Sequence, residues 1–418
     1  MTIVSQFWLL GLFGLACLGV VVRPFGLSEG WFALGGAVLG LVTGLIGLGA
    51  AWAAATTTID VVLFFGGLLL LTGVLAQAGA IELAMDRMES WSGDNPRRLL
   101  VAIIAATALV TVLFSNDAAA LLLAPTLISR LRQRLLPVAP YLLAVALIAN
   151  AASLVLPISN PVNLLVVDRA HIPLAEYVAA VSPAALIGLI LVGLLLVAMS
   201  WRHLPARARH AGPTVAHDSK LLWMLTALLV VLLLADLGLG AGHLPLGPAT
   251  MAAGLLAVAI WIIHTSGSAR RLLGSIRWSL LPLVIGFSVL AAGLEHSRLL
   301  QGLAQNVVGG AAVSPLVQFK VGAITAATAA LANNLPATFL IGSGLAASHH
   351  LSAVAFSMIT GADIGPNLAP AGSLSTILIF AAARQQGAAA PWWRFLRSGW
   401  VLGPVGLIAT LALLSVLG

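Results

Sequence analysis

The sequence is poor in charge and nearly devoid of cysteine. Of 418 residues, 8% are charged and one, Cys17, is a cysteine. Soluble domains carry roughly a quarter charged residues, so a soluble core is excluded, and with it the two-domain division that length alone suggests. A single thiol rules out an intramolecular disulfide and any multi-thiolate metal site. Cys17 itself reads as a small apolar residue in a span. Basic residues are missing from the opening "MTIVSQFWLLGLFGLACLGVVV", which therefore lacks the charged segment of a signal peptide and reads as a retained first span. The nine histidines fall in loops or at span ends, with no pair at metal-ligand spacing on a helix. No nucleophile and base stand at motif spacing and no soluble catalytic domain is present, so an enzyme is not expected. Neither a metal nor a cofactor is implied.

What the chain does have is apolar length: 60% of it is hydrophobic, in runs long enough to cross a bilayer from end to end. This is an all-α polytopic membrane protein. Periodicity and apolar runs place spans near 5–22, 31–48, 60–80, 139–168, 173–200, 220–236, 246–264, 278–296, 351–382 and 391–417. Two more segments, 99–131 and 316–347, are too long for one helix, carry a polar break in the middle, and read as re-entrant hairpins. The stretch "AIELAMDRMESWSGDNPRR" is amphipathic and reads as an interfacial helix; "PWWRF" reads as an interface anchor.

The net charge of +7 is topogenic. With both hairpins re-entrant, 17 of the 20 basic residues collect on one face, leaving Arg169, Arg298 and Lys320 on the other. The positive-inside rule makes the crowded face cytoplasmic, and nucleic acid is not a partner. The same topology exposes two inverted repeats, 1–205 with a hairpin entering from the cytoplasm and 206–418 with one entering from outside. "FSNDAAALLL" parallels "LANNLPATFLI", and "NAASLVLPISNPVNLLV" parallels "DIGPNLAPAGSLSTILI", with Pro157 over Pro370 and Asn150 over Asp363.

Inverted repeats with interrupted helices place a substrate site at the bilayer midplane, where freed backbone groups face a cavity. The prolines of "LPISNPVN" and "GPNLAPAGS" break helices. Candidate site residues are Ser115, Asn116, Asp117, Asn150, Ser159, Asn160 and Asn163 from the first half, with Asn333, Asn334, Asp363, Ser373 and Thr376 from the second. A charged Asp at a span centre costs roughly 2.5–3.5 kcal/mol even on the lenient insertion scale, so Asp117 and Asp363 need compensation. Two readings of Asp117 stand side by side: a hairpin cap accepting backbone N–H groups, or a cap that also binds a proton or ligand. Asn333 and Asn334 read equally as helix terminators, and Ser153 and Thr325 as hydroxyls bonded back within helices.

"FSNDAAALLLAP", "IANAASLVLPISNPVNLL", "LANNLPATFLIG" and "GADIGPNLAPAGSLSTIL", in this order and spacing, together with "GWFALGGAVLGLVTGLI" near the start, resemble the arsenite and antimonite efflux permeases of the ArsB type, in the ion transporter superfamily. The resemblance implies export of trivalent metalloid hydroxide from the cytoplasm across the inner membrane, coupled to protons, through a fold of inverted repeats that moves in an elevator-like manner. It also marks two departures: family members often carry Asp where this chain has Asn150, and Lys where it has Asn367. The residue chemistry suits such a substrate. Arsenous acid is neutral near pH 7 and presents hydroxyls, which amides, hydroxyls and a carboxylate can bond in a dry pocket. A di- or tricarboxylate would call for Arg or Lys, and the motifs hold none. A sodium/proton antiporter of the NhaD type, or a small-anion transporter of the same superfamily, remains open, as do a cytosolic ATPase partner and a homo-oligomer.

On this charge distribution both termini face outside and the loop 201–220 faces the cytoplasm. In a Cys17→Ala background, His210→Cys is expected to react with an impermeant thiol reagent only after permeabilisation. Reaction in intact cells would reverse the orientation.

Overall fold

The computed structural model describes residues 3–209, 219–242, 244–295, 298–309 and 313–417, so residues 210–218 of the basic loop between the halves lie outside the described residues. The first half contains α1 (Ile3–Val22), α2 (Glu29–Val42), α3 (Leu48–Thr57), α4 (Ile59–Gln77), α5 (Ala80–Ser92), α6 (Pro96–Leu113), α7 (Asn116–Gln133), α8 (Val138–Ala152), α9 (Pro161–Arg169) and α10 (Leu174–Ser200). The second contains α11 (Ser219–Ala241), α12 (Gly247–Thr265), α13 (Ala269–Ser275), α14 (Leu280–Leu294), α15 (Arg298–Val308), α16 (Pro315–Ala332), α17 (Asn334–Ala347), α18 (Leu351–Ile364), α19 (Leu374–Gln385) and α20 (Trp392–Leu417). The described residues form no strand.

The order of elements in one half repeats in the other. Two longer helices flank a short one (α2, α3, α4 and α12, α13, α14), a short amphipathic helix follows (α5 and α15), then a hairpin, a broken pair and a long closing helix. Packing repeats with the halves exchanged: α4 lies on α12 as α14 lies on α2, α7 meets α19 as α17 meets α9, and α10 pairs with α20. The repeated element order and the exchanged packing fit the two-repeat division expected from the sequence.

Small residues let the helices of the scaffold approach closely, as packing inside a bilayer requires. A Cβ added to Gly67 of α4 would stand 2.2 Å from the carbonyl oxygen of Thr250, and one on Gly254 of α12 would stand 2.4 Å from that of Gly67. The backbones touch there. Every residue of α8 from 140 to 152 is buried, so that part of α8 has no face on lipid.

Among the described residues, eight helices are long and apolar enough to cross a bilayer, or nine if α13 and α14, bent by 49°, form one span. Two of these, α6 and α16, are hairpin arms. Length alone would let each 18-residue arm reach about 27 Å, but both hairpin turns open on one cavity with the breaks in α8–α9 and α18–α19. Turns that meet the helix breaks at one cavity fit the re-entrant reading of the two hairpins. The remaining crossings come from helices shorter than a span: α2, and the two broken pairs.

Two expectations change in detail. The span at 31–48 ends at Val42 instead, because the chain turns at Gly44 with φ 70°, and a separate helix, α3, follows. The continuous apolar run hid that turn. Helix α15 was not foreseen; its Leu300, Ala304 and Val308 are buried, the four-residue spacing of one helix face. Helix α5 is the amphipathic helix expected, burying Ile81, Met85 and Met88.

A polar cavity between hairpin tips and helix breaks

Each polar motif makes a helix start. Ser115 ends the first hairpin turn and caps α7, its Oγ accepting the Ala118 N–H at 3.0 Å. Asn333 does the same for α17, accepting the Leu335 N–H at 3.4 Å. It does so at φ 77° and ψ 149°, a positive-φ backbone outside the left-handed helical well and strained for any residue but glycine. Beyond the end of α8, a tight turn at Pro157–Ser159 leads to Asn160, which caps α9 by accepting the Val162 N–H at 3.2 Å, with Pro161 at the first helical position. Beyond α18, turns at Gly365–Leu368 and Pro370–Gly372 lead to Ser373 and α19.

The N-termini of α7, α9, α17 and α19 therefore converge on one cavity. It is lined by Asn116, Asp117, Asn160, Asn333, Asn334 and Ser373, and closed by Leu280 and Leu283 of α14. Each helix start carries roughly half a positive charge. Unpaired backbone N–H groups there favour anions. No basic side chain lines the cavity, so the compensation that Asp117 needs comes from these helix starts together with Arg277 and Arg23, which act on it from outside the cavity. The cavity, about 20 Å³, has room for about one water.

The other predicted residues form a second layer behind the cavity, where the halves cross. Asn160 Nδ2 donates to Asp363 Oδ1 at 2.5 Å, and Asn163 Nδ2 donates to Asp363 Oδ2 at 2.9 Å. Asn163 also donates to the Ser153 carbonyl at 2.8 Å. The reciprocal contact runs from Asn150, whose Nδ2 donates to Thr376 Oγ1 at 3.3 Å and to Asn367 Oδ1 at 3.0 Å. Asn150 and Asp363 sit near the ends of α8 and α18, and each grips the second arm of the other half's broken helix. Ser159 ties the break to the hairpin through the Val112 carbonyl at 2.9 Å. Asn160 belongs to both layers, lining the cavity while holding Asp363.

Sequence reasoning had not assigned Tyr177, Ser375 or Asn367 to the site. Tyr177, one of two tyrosines in the chain, is buried and donates to the Leu154 carbonyl at 2.7 Å. That is the use of an aromatic with a polar tip. Asn367 had been noticed only as a departure from the family pattern. The structure shows that Asn150 and Asn367 are the two ends of one hydrogen bond. The motifs hold no basic residue, but Arg277, from outside them, lines a neighbouring cavity that also holds Ser115. Cys17 is buried in α1 and lines neither cavity.

Comparison with known proteins fits this geometry. The family model described as "Citrate transporter" matches residues 17–361. The chain belongs to that family of membrane transporters. It is 28% identical to the arsenical pump membrane protein of Escherichia coli, over 97% of both chains. Its identity to the protein of that name from Yersinia enterocolitica is also 28%, again over 97% of both. The ArsB-type resemblance read from the motifs is thus borne out along the chain. The silicon efflux transporter LSI3 of Oryza sativa subsp. japonica is 32% identical over 48% of this chain and 40% of that protein. The crystal structure of the Alcanivorax borkumensis YdaH transporter has the same fold, with a TM-score of 0.57 at 15% identity over 88% of this chain and 86% of that one. The chain is a multi-pass membrane transporter, as its relatives are.

The two carboxylates differ in what holds them. Asp363 accepts two amide N–H groups, whereas no hydrogen bond to the Asp117 side chain is found among the described residues. Asp363→Asn is expected to lower stability by about 1–3 kcal/mol, because a buried donor loses its acceptor. Asp117→Asn should change stability by less than about 0.5 kcal/mol. Thermal melting of the two purified variants beside the unsubstituted protein checks this.

Proposed function

We propose that the chain exports arsenite and antimonite, as neutral trihydroxides, across the cytoplasmic membrane in exchange for protons. The observation that carries this reading is the composition of the cavity: side-chain amides, a hydroxyl, four helix starts and one carboxylate, in a chain that aligns end to end with arsenical pump membrane proteins. A trihydroxide both donates and accepts hydrogen bonds. Its oxygens take N–H groups from the helix starts and the amides of Asn116, Asn333 and Asn334, and one hydroxyl donates to ionised Asp117. A proton on Asp117 removes that acceptor, so substrate and proton compete for one group, which is the requirement of antiport. Asp363 and its two amide donors hold the broken helices in register behind the site.

The cavity is smaller than the proposed substrate, so loading requires its walls to part. Nine of its eleven lining residues come from the hairpins and broken helices' polar starts or the residues directly after them, and the wall opposite is α14. In an elevator-like cycle the hairpins and broken helices slide along that wall, past Leu280 and Leu283. At the end of α9, Arg169 pairs with Glu295 at the end of α14, a contact that such a movement must break.

A second reading is favoured by the helix starts themselves: their positive ends also suit a small anion, as the family description suggests. They do not suit sodium. The test is uptake into everted vesicles under an imposed pH gradient. Arsenite and antimonite uptake is expected to follow the gradient without ATP, which would also show that no ATPase subunit is required. Asp117→Asn should abolish the pH dependence. Citrate or sodium uptake in place of arsenite, or full proton coupling in the Asp117→Asn, Asp363→Asn double variant, would overturn the proposal.

A further inference from the structure

Beside the cavity lies a larger one, about 210 Å³, whose walls include Phe65, Leu68 and Thr72 of α4, Ser115 at the hairpin turn, Arg277 and Leu280. Leu280 belongs to both cavities, and Ser115 directly precedes Asn116, so the larger space adjoins the smaller at the hairpin turn. Arg277 is held there by a network that no motif announced. Its Nη2 donates to Glu29 Oε1 at 2.6 Å, Ser279 Oγ donates to the same oxygen at 2.6 Å, and Arg23 Nη2 stands 3.4 Å from Glu29 Oε2. Glu29, at the start of α2, is buried.

The network does not enclose Arg277: its side chain remains 24% exposed and forms part of the cavity wall. Ser115 Oγ accepts the Ala118 N–H, leaving its own hydroxyl hydrogen to be donated. Two guanidinium groups and one carboxylate carry a net charge of +1, and Asp117 lies within electrostatic reach of all three. The rest of the wall is mainly apolar, so a solute inside exchanges water for few but well-placed donors.

The geometry points to a second ligand subsite: this vestibule holds a small oxygen-bearing solute with at most one negative charge, bonded to the exposed edge of the Arg277 guanidinium and to Ser115 Oγ, beside the tip cavity. The limit of one charge follows from the surroundings. A divalent or trivalent anion would exceed the net +1 of the cluster and face both Glu29 and Asp117. Arg23 and Arg277 belong to the basic face, so on the proposed orientation the subsite is reached from the cytoplasm and is a waiting position on the export path. That role rests on the reading of the tip cavity as the transport site; occupancy of the vestibule does not.

Nitrate is a suitable probe, being a small monovalent oxyanion distinct from the trihydroxide proposed as substrate. The full chain in lipid nanodiscs is melted at increasing sodium nitrate, with chloride keeping ionic strength constant and sulfate as the divalent control. A saturable rise in melting temperature is expected for the unsubstituted protein and for Asp117→Asn. Apparent affinity should fall at least about tenfold in Arg277→Lys, which keeps a charge against Glu29 but loses the second N–H arm. Equal nitrate affinity in Arg277→Lys, no saturable effect in the unsubstituted protein, or sulfate binding as tight as nitrate would overturn the subsite. In vesicles, Arg277→Lys should raise the half-saturating arsenite concentration severalfold and retain the maximal rate. Nitrate binding without arsenite transport would refute the transport reading and leave the subsite standing.

Discussion

The constraint on which this structure depends is the cost of holding a carboxylate inside a membrane with no cation in its cavity. Asp117 meets it largely with backbone. Four helices begin at its cavity, and their free N–H groups supply positive potential that adds to the field of Arg277 and Arg23 outside it. Helices can begin in mid-membrane only where the chain is broken or folded back, and such irregular backbone is tolerated only when it lines a cavity or is buried in protein. Hairpin turns, helix breaks and polar site are thus one requirement expressed in three ways. The inverted repeat satisfies it economically, since each half supplies one hairpin turn and one break.

The second layer shows how the halves are kept in register. Asp363 from one half grips Asn160 and Asn163 of the other, and Asn150 returns the contact to Thr376 and Asn367. Because both contacts reach the second arm of the partner's broken helix, neither half can complete its polar layer alone. A buried network of this kind is stabilising only when its members are satisfied. Here Asp363 has a donor for each oxygen, so it is positioned as a brace, while Asp117, facing the cavity without such donors, is free to exchange one partner for another.

Much of this was legible in the sequence because the signals are local. Proline after a polar break, Asn or Ser at a helix start, and a repeated motif order are short-range features, and they located all four polar points. The layering was not legible. Nothing in the spacing separates Asn160, which lines the cavity, from Asn163, which faces away toward Asp363, because that depends on how one half meets the other. The same holds for Arg277 and Glu29, 248 residues apart in the chain. Arg277 reads in sequence as one more member of a basic loop that orients the protein, and only the fold brings it to the wall beside Ser115. The turn at Gly44 and the helix α15 were hidden for opposite reasons: the first lies in an unbroken apolar run, the second in a stretch too short and too polar to count as a span.

The central claim is that substrate and proton compete for Asp117 while Asp363 braces the halves. The most direct measurement is proton release when arsenite is added to the purified protein in weakly buffered solution, near the pH at which binding is half-maximal. Release by the unsubstituted protein and none by Asp117→Asn, with arsenite still bound, is the predicted result. Undiminished release from Asp117→Asn would contradict the account.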